Sequence, residues 1–71
     1  MFVHILNKRT TNFNLDTIIA WAVNTLTEVK KVHSPTDAEM YKFSYDNSLS
    51  GICVFYFKEE SDYHLFLLKF S

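Results

Sequence analysis

The chain predicts an α+β fold: a two-layer sandwich of one helix on a four-stranded, mostly antiparallel sheet, in the order β-α-β-β-β. Three observations carry that reading. Apolar residues recur at three- and four-residue steps in only one long segment, 14–32. Short apolar or alternating runs occupy 1–6, 38–46, 51–58 and 63–70. Turn-forming or acidic stretches, "DNSLSG" and "EESD", separate the last three runs, which suits a meander.

Met1 to Leu6 reads as the first strand, with Phe2, His4 and Leu6 on one face and Met1, Val3 and Ile5 on the other. "NKRTTN" then forms a polar loop. Asn14 opens the helix as N-cap, and Asp16 in the first turn complements the helix dipole. Phe13 and Ile18 have the spacing of a hydrophobic staple. Leu15, Ile18, Ile19, Ala22, Leu26 and Val29 form the buried stripe. Lys30, Lys31 and His33 gather at the C-terminal end, where positive charge is favoured, and Ser34–Pro35 stops the helix at about Val32. Trp21 lies off the centre of the stripe, either folded over the sheet margin or facing a partner.

Ala38 to Asp46 alternates, with Tyr41, Phe43 and Tyr45 on one face. Gly51 to Lys58 is the third strand, and Tyr63 to Phe70 the last one. A crossover through the helix would set the first strand parallel to the second or fourth. One difficulty stands out. "GICVFYFK" has no polar residue between its glycine and its lysine, and the last strand is also apolar on both sides. One helix covers one face of a sheet; the other is covered either by the chain itself, with the third strand central and the last one curled around the helix in a strongly twisted sheet, or by another protein.

The chain has 71 residues, enough for one small domain over 1–71. A domain of this size buries only about 60% of the surface its unfolded chain exposes. The single cysteine, Cys53, excludes an internal disulfide, and no Cys/His spacing suggests a structural metal. Packing or a partner chain must supply the remaining stability. Hydrophobic residues make up 48% and aromatics 17%, too apolar for a disordered chain. "MFVHIL" is not a signal peptide, no stretch is long enough for a membrane span, and one unpaired cysteine fits a cytoplasmic location.

No catalytic, metal or cofactor constellation emerges. Cys53 sits mid-strand, where cysteine behaves as a small hydrophobe. His4 and His64 both lie on strands, but lack a third ligand. Asp37 and Glu39, and Glu59, Glu60 and Asp62, read as solvated acidic tips. The doubly apolar strands point instead to a surface that meets another protein, because large exposed apolar patches are rare on monomers. The candidate contact residues are Tyr41, Phe43, Tyr45 and Tyr56 on the sheet, Trp21 on the helix, and Glu59, Glu60 and Asp62 as a charged rim. A second copy, giving a homodimer, or a foreign protein would fit.

Single-stranded nucleic acid is the alternative partner, with bases stacked on the aromatic strand. The net charge of −1 and the split of Lys8 and Arg9 from Lys30 and Lys31 speak against it. In size and composition the whole chain is similar to small accessory proteins of bacteriophages and mobile elements. These are glycine-poor, aromatic-rich and free of catalytic motifs, and many inhibit a host complex such as a defence nuclease or polymerase. The similarity implies a small inhibitor or adaptor rather than an enzyme.

Overall fold

A computed structural model describes residues 1–9 and 14–70. It has the α+β class and the four-stranded, largely antiparallel sheet, with a different use of the chain. The elements are β1 (Phe2–Asn7), α1 (Leu15–Thr25), β2 (Lys30–Lys31), α2 (Pro35–Ala38), β3 (Phe43–Asp46), β4 (Ile52–Phe57) and α3 (Glu60–Phe70). The strands lie in the order β1-β4-β3-β2.

β4 is central, as its composition demands. It runs antiparallel to both β1 and β3. Phe2 lies opposite Phe57, His4 opposite Phe55 and Leu6 opposite Cys53. On the other side Phe43 lies opposite Phe57 and Tyr45 opposite Phe55. Because facing residues share a face, Phe2, Leu6, Cys53, Phe55, Phe57, Phe43 and Tyr45 make one apolar floor. The first strand runs parallel to β3, the expected second strand, but does not adjoin it: β4 lies between them, antiparallel to both, and among the described residues the directly paired parallel strands are β2 and β3.

The largest correction concerns 63–70, read as a strand. It is helix α3, from Glu60 to Phe70. Tyr63, Phe66, Leu67 and Phe70 recur at helical spacing and pack on the floor beside α1. Glu60 and Asp62 in the first turn and Lys69 in the last complement the dipole. The run "LFLLKF" satisfies both periods, and the helix wins because it lets Phe66 bury fully. Its ring lies 5.4 Å from Phe55 and 5.1 Å from Phe57.

α1 starts as expected. The Asn14 side chain accepts hydrogen bonds from the N–H groups of Asp16 and Thr17. Ile18, Ala22 and Leu26 fill the core above the floor. The staple partner Phe13 falls outside the described residues. The helix ends at Thr25, not at Val32. Thr27 closes it with φ of +62°, a left-handed conformation costly for a β-branched residue. Lys30 and Lys31 then form an edge strand instead of a helix terminus.

This early stop lets the chain cross to the opposite side of the sheet. Val29 still packs on the floor cluster, whereas Val32 is buried in a second cluster with Ala38, Val54 and Tyr56, and with Tyr41 and Ile52 against it. That cluster covers the other face of "GICVFYFK". α2 lies within it, capped by Ser34, whose Oγ accepts from the Asp37 N–H at 3.2 Å, with Pro35 at the first helical position. The strand expected from Ala38 shrinks to 43–46, because Ala38 belongs to α2.

The β3–β4 turn is held by Asp46. Its carboxylate, almost fully buried, accepts from the Ser48 N–H at 2.9 Å and from the Ser48 hydroxyl. Burial alone would raise this carboxyl. The Ser48 hydrogen bonds and the charges of His33 and Lys31 outweigh it, and the net shift is downward. Gly51 follows with φ of +79°, which glycine adopts without strain.

Candidate functional site

The residues singled out for partner contact are dispersed by the fold, and three of them are buried. Phe43 has no exposed surface, because its face of β3 lies under the helices. Tyr56 is only 6% exposed beneath Val32 and Ala38; burial, and then Asp46, push its phenol upward. Asp62 is also 6% exposed, pointing inward beside Lys42 at 3.7 Å. None of these three is available to a partner.

Tyr45 is half-buried in the helix-side cluster, while Tyr41 packs on the opposite face with the Lys30 ammonium 5.7 Å above its ring. The aromatic strand therefore offers no open platform on which bases could stack. Trp21 joins the two helices: it meets Phe70 edge-on at 5.4 Å and Phe66 at 6.0 Å. The acidic tip divides. Glu59 pairs with Lys42 at 3.6 Å while staying exposed, Asp62 turns inward, and Glu60 is exposed.

The candidate chemical groups do not assemble either. Cys53 is fully buried, and burial pushes its thiol up to about 11, with Lys8 opposing and Asp46 adding to the shift. A thiol held protonated is a poor nucleophile. His4 packs half-buried between β1 and α3, while His33 and His64 are exposed. Among the described residues no group of three His, Cys, Asp or Glu side chains could hold a metal. No helix among them is long and apolar enough to cross a membrane.

What the structure does expose is β1. It is an edge strand, and among the described residues nothing pairs with its outer side. Met1, Val3 and Ile5 are 52%, 46% and 58% exposed on the face turned from α1 and α3. The backbone is available too. The Lys8 N–H donates to the Gly51 carbonyl across the ladder at 2.8 Å. Antiparallel pairing alternates, so Met1, Val3, Ile5 and Asn7 turn their backbone groups outward.

Edge strands are usually blunted by charge, proline or shortness. The opposite edge obeys this rule: β2 is two residues long and both are lysines. β1 is six residues long and carries no Asp, Glu, Lys, Arg or Pro. The sequence shows the uncharged run, but edge position depends on the strand order, which only the fold reveals. Compared with protein-family models, with curated proteins and with solved structures, the chain matches none.

Proposed function

We propose that this is a small protein-binding module without catalytic activity, which docks by adding its β1 edge to a partner and so covers or bridges that surface. The observation that carries the reading is the long, uncharged edge of β1 with Met1, Val3 and Ile5 exposed along it. Strand addition supplies affinity through main-chain hydrogen bonds, and alternate side chains supply selectivity. An inhibitor or adaptor needs no more than this. The similarity in size and composition to bacteriophage accessory proteins supports an inhibitor of a host complex.

The test is a photo-reactive residue placed at Val3 or Ile5 and, as control, at exposed Thr36 on α2. A discrete protein adduct from β1 and none from Thr36 is expected in cells that make the protein. No adduct from either β1 position would sink the reading.

A further inference from the structure

We draw no further inference here: the strongest candidate, the open β1 edge with Met1, Val3 and Ile5 exposed along it, belongs to the surface already described, and nothing in the structure shows what covers it.

Discussion

The His4 imidazole lies edge-on to the Phe66 ring, with centroids 5.1 Å apart and planes at 64°. Tyr63 approaches the same imidazole at 6.4 Å. Burial against these rings disfavours the charged imidazolium and lowers the His4 pKa below the usual 6.5.

That contact makes the docking of α3 sensitive to acid. A histidine with a lowered folded pKa contributes stability that is fully present above 6.5. The contribution is lost as the pH falls through the folded value, because only the unfolded chain takes the proton freely. Thermal unfolding at pH 7.5, 6.5 and 5.5 should show the Tm falling with pH. His4→Leu should flatten that fall, whereas His64→Ala, at an exposed site, should leave it. An unchanged slope in His4→Leu would refute the assignment.

The helical phase of 60–70 can be read by paired truncations. Phe66 is buried among Phe55, Phe57 and Trp21. Phe66→Ala should cost about 3–5 kcal/mol, most of the stability of a domain this small. Leu65, its neighbour, is 45% exposed, and Leu65→Ala should cost below about 1 kcal/mol. Urea unfolding measures both. Equal losses would favour a strand buried on two faces.

Thr27 offers a gain in stability. Its φ of +62° strains a β-branched residue at the end of α1, where glycine is favoured. Its hydroxyl donates to the Leu26 carbonyl at 2.6 Å, which recovers part of the cost. Thr27→Gly should stabilise the protein by about 1 kcal/mol, or roughly 4–8 °C in Tm. A lower Tm would mean that the hydroxyl contact outweighs the strain.

Cys53 should be silent while the protein is folded. Its thiol is buried and shifted up to about 11. A disulfide reagent at pH 8 should label it at least about a hundredfold faster in urea than in buffer, since the exposed thiolate is the reactive form. Equal rates would show that β4 opens readily. Cys53→Ser should cost about 1–3 kcal/mol, by placing a hydroxyl without a guaranteed partner in an apolar floor.

Several features were legible in the residues alone. Asn14 followed by the Leu15–Ile18–Ala22–Leu26 stripe specifies a capped amphipathic helix, since that spacing fits no other regular structure. The unbroken "ICVFYF" showed a strand with both faces to be covered, though the residues left open whether the chain itself or another protein covers the second; the structure shows the chain doing so. The uncharged "FVHIL" of the candidate edge was visible too, but looked like any half-buried strand.

Tertiary structure decided what local pattern left degenerate. Apolar residues at 63, 65, 66, 67, 68 and 70 satisfy a strand and a helix equally, and only the space above Phe55 and Phe57 selects the helix that buries Phe66. The stop at Thr25 carries a weak local signal; burial of Val32 with Val54 and Tyr56 on the far face rewards it. The strand order is a global property, since it depends on which pairings close together around β4. That order buries Phe43 and Tyr56, which composition alone marked as contact residues, and leaves β1 open at the edge.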